Sequence, residues 1–472
     1  MKQFSIALRN ILRNRRRSLA TLAAMVLGVL TILLFGGYSR DITYTLETGY
    51  VQRGGHLQIM RRDYFQFGSG NPGAYGIGDF RGVMDRIRRD PMLGPMVVVV
   101  TPTLQLGGVA GNFEQGISRT VLVTGLETEG QDALHRWNAY GTFQKPKVSP
   151  LTGTADDAAL IGIGVARVLQ LCDRLPTSVT CPKPTATPSQ STSASAATGA
   201  MPADILALTD GVTPAATSAS SAHLELLAAS ARGAPNVSPL NVVRAENQGT
   251  KELDDVYVAM HLSQAQKLLF GHDEPKVTAI VVQLRETSML PAAKARLAEL
   301  LASPGLAAPG EALEIRDFRE IYPFFGQAIL MFRTIFGFIA ILIGAIVLFT
   351  VANTMGMAVM ERTVEIGTLR AIGQRRSGVR RLFVMEGLVL GVIGAAAGVA
   401  IAVSVASTIN VSGLTWTPPG WANPVPFVVR VWGESVMIAT TGLGIAIVAV
   451  LSAWWPARRA AKLNVVEALR HV

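Results

Sequence analysis

The residues best placed to do chemistry lie in one short run, Met360–Arg376, which reads M-E-R-T-V-E-I-G-T-L-R-A-I-G-Q-R-R. Glu361 and Glu365 are one helical turn apart and share a face. Val364, Leu369 and Ile372 form an apolar stripe at roughly helical spacing, and Gly373 is suited to end the helix. A short amphipathic helix of this kind fits docking into a partner's groove. A solvated connecting helix that merely carries charge explains the same residues equally well.

Chemistry of other kinds has little to stand on. There is no G-x-x-x-x-G-K-[ST], so no nucleotide is bound through a P-loop, and neither G-x-S-x-G nor H-E-x-x-H occurs. The six histidines are scattered without ligand spacing, so no metal site is expected. The acidic residues outside the apolar runs form no obvious catalytic pair. Two cysteines, Cys172 and Cys181, exclude a disulfide-rich scaffold. In an oxidising compartment they are expected to form one local disulfide, the alternative being two free buried thiols.

The elements that must position these residues are apolar. The 472 residues are 49% hydrophobic and 16% charged, against about 25% charged in average chains. Four uncharged runs reach the roughly 20 residues that cross a bilayer: 19–38, 334–360, 387–410 and 435–457. The first exceeds a signal-peptide core and no A-x-A site follows it, so it is expected to stay as an anchor. None of the four contains Asp, Glu, Lys, Arg or His, which argues against an ion-coupled carrier.

Basic residues set the orientation. Segments 1–18, 361–386 and 458–472 hold 16 of the 43 Lys and Arg but only 4 of the 33 Asp and Glu. Both termini and the middle loop are therefore expected in the cytoplasm, with 39–330 and the loop 411–433 outside. The rest of the chain is close to neutral. The net charge of +10 is thus a topology signal, and nucleic acid is excluded as a partner.

The outer region reads as α+β. His56–Met60, Phe80–Asp90 and Met96–Thr101 make a strand, a helix and a strand, and Val277–Leu284, Leu290–Ala302 and Ala312–Arg316 repeat the pattern. Two such β-α-β units predict one subdomain. Between them, about 103–275, Leu104–Ala110, Thr120–Gly125, Ala159–Leu171 and Asp255–Phe270 predict an inserted β-rich subdomain. Within it, 182–221 is so rich in Ala, Ser, Thr and Pro that it predicts a mobile low-complexity loop. The third apolar run carries two successive G-x-x-x-G patterns, Gly387 with Gly391 and Gly394 with Gly398, which predict close helix–helix contact.

The pattern E-x-x-x-E-I-G-x-x-R-A-I-G-x-x-R, followed by Phe383, Glu386 and a glycine-rich span, resembles the MacB/FtsX-type permeases of ABC transporters, a family that includes lipoprotein-releasing permeases. The basic segment Ala7–Ser18 resembles the family's amphipathic helix, and Pro456–Arg470 its C-terminal signature. The resemblance implies an α-helical membrane domain of four transmembrane helices, plus a large α+β extracytoplasmic domain between the first two. It implies a multi-pass protein of the bacterial inner membrane that is not itself an enzyme. No fused ATPase domain is expected in this chain. ATP and Mg are then expected in a separate ATPase dimer, with a second permease copy or paralogue and a periplasmic or outer-membrane protein as further partners. It implies mechanotransmission, in which ATPase closure moves the outer domain and releases an amphipathic substrate such as a lipoprotein. Glu361, Glu365, Gly367, Arg370 and Gly373 match the coupling motif, with Arg370 expected to face acidic groups of the ATPase. A signalling scaffold that activates a cell-wall hydrolase, and a drug or peptide efflux permease, are the competing readings.

Overall fold

The computed structural model describes residues 15–143, 146–175, 222–303, 311–417 and 424–462. The expected N-terminal amphipathic helix, the loop 182–221, Cys181 and most of the C-terminal tail lie outside these residues. The chain divides into two compact units. One runs up to Glu47 and resumes at Tyr322, and the other spans Thr48–Ile321.

The first element is helix α1 (Arg15–Gly54), which runs well past the uncharged stretch ending at Tyr38. The unit that begins at Thr48 then builds strand β1 (Leu57–Arg61), helix α2 (Phe80–Arg89) and a 16-residue strand β2 (Val97–Asn112). In α2 the buried residues are Phe80, Val83, Met84 and Ile87, the spacing of one helix face. The Asp79 side chain caps its N-terminus by accepting from the Gly82 N–H at 3.1 Å. There follow β3 (Ile117–Leu126), α3 (Thr128–His135), β4 (Ala158–Gly162), α4 (Ile163–Val168), β5 (Ala222–Ala229) and β6 (Pro235–Glu246). The unit closes with β7 (Tyr257–His261), α5 (Leu262–Phe270), β8 (Ala279–Leu284), α6 (Leu290–Leu301) and β9 (Leu313–Asp317).

Nine strands join in the order β3-β7-β4-β6-β5-β2-β8-β1-β9. At one end, β2-β8-β1-β9 interleaves the two β-α-β units, each pair of parallel strands being split by an antiparallel neighbour. At the other end, β2 also pairs with β3, so β2, β3, β7, β4, β6 and β5 form a closed ring. Closure leaves these six strands without a free edge. The change happens within one strand: Val97–Thr103 of β2 pair with β8, and Thr103–Asn112 pair with β3. The β-rich insert is therefore continuous with the first sheet through β2, where the sequence predicts a separate module. The ring is filled by Leu104, Leu106, Val121, Val123, Ile161, Leu224, Leu226, Val258 and Met260, and Leu268 and Leu269 of α5 pack on the same core.

A buried polar cluster fixes β1 and β8 to the last turn of α1. His56 has no exposed surface. Its Nδ1 accepts the Leu284 N–H at 3.0 Å, and Nε2 lies 3.0 Å from the Thr287 hydroxyl. Trp137 meets the His56 ring edge-on at 5.0 Å. Gln283 donates to the carbonyls of Val51 and Leu134. Burial holds the His56 imidazole neutral, pushing its pKa from 6.5 to about 3, and the Arg319 charge adds to the effect.

The other unit is helical. It continues with α7 (Pro323–Glu361), α8 (Thr363–Ala371), α9 (Arg376–Ser412) and α10 (Ser435–Lys462). With α1, the helices α7, α9 and α10 are long and apolar enough to cross a membrane. Their core contains Met25, Val29, Val347, Val351, Leu390, Ala402, Ile445 and Ala449. Outside the core, α7 leaves Phe338, Ile341 and Phe349 about 70% exposed, which a helix tolerates when lipid or protein surrounds it. Ions tie the far end of α1 to the segment before α10: Arg430 Nε is 2.7 Å from Asp41 Oδ1, and Tyr44 donates to Glu434 at 2.9 Å.

Candidate functional site at the turn between two membrane helices

The run singled out in the sequence folds as a separate short helix. Helix α7 stops at Glu361 because Arg362 leaves helical geometry, at φ −105° and ψ 20°. The chain turns there and resumes as α8, one residue later. At the other end Gly373 takes φ +98°, a left-handed conformation that glycine adopts without steric cost. Its N–H bonds to the Arg370 carbonyl at 3.1 Å, and the Gln374 N–H bonds to that of Leu369 at 3.0 Å. These two bonds are the Schellman arrangement that closes a helix C-terminus.

Two faces of α8 differ sharply. Ile366 and Gly367 are buried. Ile366 packs in a cluster with Ala358 and Val359 of α7, Val379 and Phe383 of α9, and Ala457 and Ala460 of α10. Arg362, also buried, lies 3.7 Å from Glu386 of α9. On the other face Glu361, Glu365 and Thr368 are exposed, together with Val364 at 46% and Ile372 at 76%. Met360 beside them is 77% exposed. The helix thus rests on three membrane helices and presents a mixed apolar and acidic surface.

Five residues were expected to form this site, and they divide between the faces. Glu361 and Glu365 lie on the exposed side, and Gly367 on the buried side. Gly373 makes the turn. Arg370 is half-buried, and its Nη1 donates to the Ala461 carbonyl of α10 at 3.3 Å. A guanidinium at the last turn of a helix satisfies carbonyls that the helix itself leaves over. Val364 and Ile372 point outward, and Ile366 takes the inward place. Sequence reading missed Arg362 as a site residue and named Glu386 only within the family pattern. An arginine and a glutamate 24 positions apart carry no spacing signal; only the packing of α9 beside α8 brings them together.

The two glycine patterns face different helices. A Cβ on Gly387 would fall 2.6 Å from the Ala453 Cβ, and one on Gly391 2.8 Å from that of Ala449, both on α10. On Gly394 it would fall 2.8 Å from the Met25 Cβ, and on Gly398 2.6 Å from that of Val29, both on α1. Helix α9 is the element that touches both neighbours through glycine. Among the described residues no group of three or more His, Cys, Asp or Glu could hold a metal ion.

Four membrane-length helices, with a folded unit inserted between the first two and a short helix between the second and third, give the architecture of a multi-pass membrane protein. Residues 335–465 match the FtsX-like permease C-terminal family. The ABC transporter permease YtrF of Bacillus subtilis is 39% identical over 28% of this chain and 30% of its own length. The macrolide export ATP-binding/permease protein MacB of Chlorobium luteolum is 30% identical over 50% of this chain and 33% of its own. The lipoprotein-releasing system transmembrane protein LolC of Neisseria meningitidis is 27% identical over 50% of this chain and 56% of its own. The chain therefore spans about a third of the first of these relatives and about half of the last. Residues 335–465 are thus similar to the FtsX-like permease C-terminal family, and up to half of the chain is similar to ABC transporter permeases of the MacB and LolC type.

Proposed function

We propose that α8 is the docking element for a separate ATPase, and that the chain relays ATPase motion to its other unit without moving substrate through a pore. The observation that carries this reading is the division of α8 into two faces. The inner face is held by Ile366, Arg362 and Arg370 to α7, α9 and α10, so a push on α8 moves three helices together. The outer face offers Val364, Ile372, Glu361 and Glu365 to a groove. A helix that only connected two spans would not need such anchorage.

On this reading α8 and both termini lie in the cytoplasm, and the unit Thr48–Ile321 lies on the periplasmic face of the inner membrane. The working assembly is a pair of permease chains, identical or paralogous, on a pair of ATPase subunits that hold ATP and Mg. The substrate is amphipathic, in keeping with spans that lack charged side chains, and release of a lipoprotein is the favoured example. Cys172 pairs with Cys181.

Purification of the full chain from its native membrane tests the docking claim. Wild-type protein is expected to bring down a subunit with a P-loop. Ile372→Glu and Val364→Glu are expected to lose it while the chain remains folded and inserted. Recruitment unchanged by both substitutions would reduce α8 to a connector.

A further inference from the structure

Helices α1, α7 and α10 leave a groove of about 520 Å³ between them. Phe336, Ala340 and Gly344 of α7 face Ile445 and Val448 of α10 across it. The helices run in register along the groove. A Cβ on Gly28 would meet Val347, Ile343 and Ile445, and one on Gly36 would meet Phe336 and Met437. Arg40 and Arg333, both lining residues, therefore fall at the same end, beyond Gly36 and Phe336. That is the end where α1 leaves its uncharged stretch and where α7 and α10 begin theirs.

Charge at that mouth is unbalanced. Arg40 Nε lies 3.3 Å from Glu434, which answers one positive charge. Arg430 is likewise answered by Asp41. Arg333 is exposed and has no ion pair among the described residues. The mouth thus keeps one guanidinium over, at the level where long basic side chains reach the headgroups. Below it the lining is mostly apolar, with Thr440 and Thr441 of α10 among it and the Thr440 hydroxyl bonded to the Val436 carbonyl of its own helix. Inside a bilayer there is no water to fill such a groove, so its natural occupant is an alkyl chain. A guanidinium at the mouth pairs with a phosphate through charge-assisted, bidentate hydrogen bonds.

We infer that this groove is a binding site for an anionic phospholipid of the surrounding membrane, with an alkyl chain along Phe336, Ala340 and Gly344 and the phosphate at Arg333 and Arg40. The inference needs only that the four helices lie in a membrane. It stands or falls separately from docking of an ATPase on α8.

The test uses the full chain in detergent micelles doped equally with dioleoyl phosphatidylglycerol and dioleoyl phosphatidylcholine, read by native mass spectrometry. Wild-type protein is expected to retain the glycerol lipid about five-fold over the choline lipid, the preference one basic contact supplies near a membrane surface. Arg333→Gln is expected to bring the ratio close to one, and Arg333→Lys to keep it. Gly344 has open space where a Cβ would stand, so Gly344→Phe fills the groove and is expected to lose both lipids with no loss of thermal stability. Equal retention of the two lipids by wild type would overturn the inference. So would an unchanged ratio in Arg333→Gln, both lipids kept by Gly344→Phe, or displacement by inorganic phosphate, which would mark a site for small anions.

Discussion

Arg362 and Glu386 face each other at 3.7 Å with 7% of each side chain exposed, at the point where the path of α7 breaks. Arg362 is the one residue separating α7 from α8, and Glu386 belongs to α9. The pair therefore fixes the angle of the turn against the neighbouring helix. Desolvating two charges costs several kcal/mol each, so such a pair is weak evidence for stability and better evidence for a required geometry.

Removing one partner leaves the other charge buried without this ion pair. Arg362→Met or Glu386→Gln alone is expected to cost about 3–5 kcal/mol, read as a fall in melting temperature in detergent. The double substitution Arg362→Met with Glu386→Leu is expected to recover most of that loss, because an apolar pair of similar volume packs in the same space. A double variant as unstable as the singles would show that the pair contributes net stability after all.

How much of this was legible depends on range. The helices of the membrane unit announce themselves as uncharged runs, and α2 by a repeat of three and four. Strands β5 and β6 did not. The residues Ala-His-Leu-Glu-Leu-Leu-Ala-Ala of β5 are mostly good helix formers, and only the alternation of buried Leu224 and Leu226 with exposed His223 and Glu225 reveals a strand. Ring closure through β2 was invisible because no local signal marks a strand that serves two sheets. That Ile366 is the residue of α8 turned inward was not legible for a related reason. A stripe of Val364, Leu369 and Ile372 has the right spacing, yet which stripe turns inward is decided by α9 and α10.

The glycines of α9 give a graded test. Gly391→Val puts new atoms against Ala449 and the Ala446 backbone, and Gly398→Val against Val29. Each is expected to cost about 1–3 kcal/mol from overpacking. Gly356 has open space around a new Cβ, so Gly356→Ala is expected to be neutral or to stabilise by up to about 1 kcal/mol. Thermal scans of the three variants check the order. Equal effects would mean that glycine content, not contact, sets the packing.

His56 predicts acid sensitivity. Unfolded, its imidazole titrates near 6.5; folded, near 3. Between those values the unfolded chain binds a proton that the native fold refuses. Stability is therefore complete above about pH 6.5 and falls as pH drops toward 3, by up to about 1.4 kcal/mol per pH unit. His135, whose pKa burial also lowers, adds in the same direction. His56→Gln is expected to be less stable at pH 8 but to show a shallower decline between pH 6.5 and 4. Parallel curves for the two proteins would remove His56 from the account.

The proposed bond between Cys172 and Cys181 closes a short loop, worth about 2–3 kcal/mol on the chain-entropy model. Non-reduced peptide mapping of protein exported under oxidising conditions is expected to show the cross-linked peptide. Recovery of Cys181 as an alkylated thiol would contradict it.

Arg370 and Ile372 separate anchorage from docking. Arg370 holds the end of α10 through the Ala461 carbonyl, whereas Ile372 is 76% exposed and sits just past the end of α8. Arg370→Glu removes a donor from that carbonyl and sets a negative charge near the negative end of α10, a loss of about 1–2 kcal/mol for a half-buried contact. It is expected to lower both melting temperature and ATPase-coupled activity. Ile372→Glu changes only exposed surface. It is expected to leave the stability within about 0.5 kcal/mol of wild type while ATPase recruitment falls. Arg370→Lys keeps the charge with a single point donor in place of the planar fork, and is expected to restore most of the stability. If Arg370→Glu lost recruitment with no thermal cost, Arg370 would belong to the docking surface and the inward contact to Ala461 would be incidental. If Ile372→Glu melted early, the outer face of α8 would be part of the fold and a partner would have to bind elsewhere.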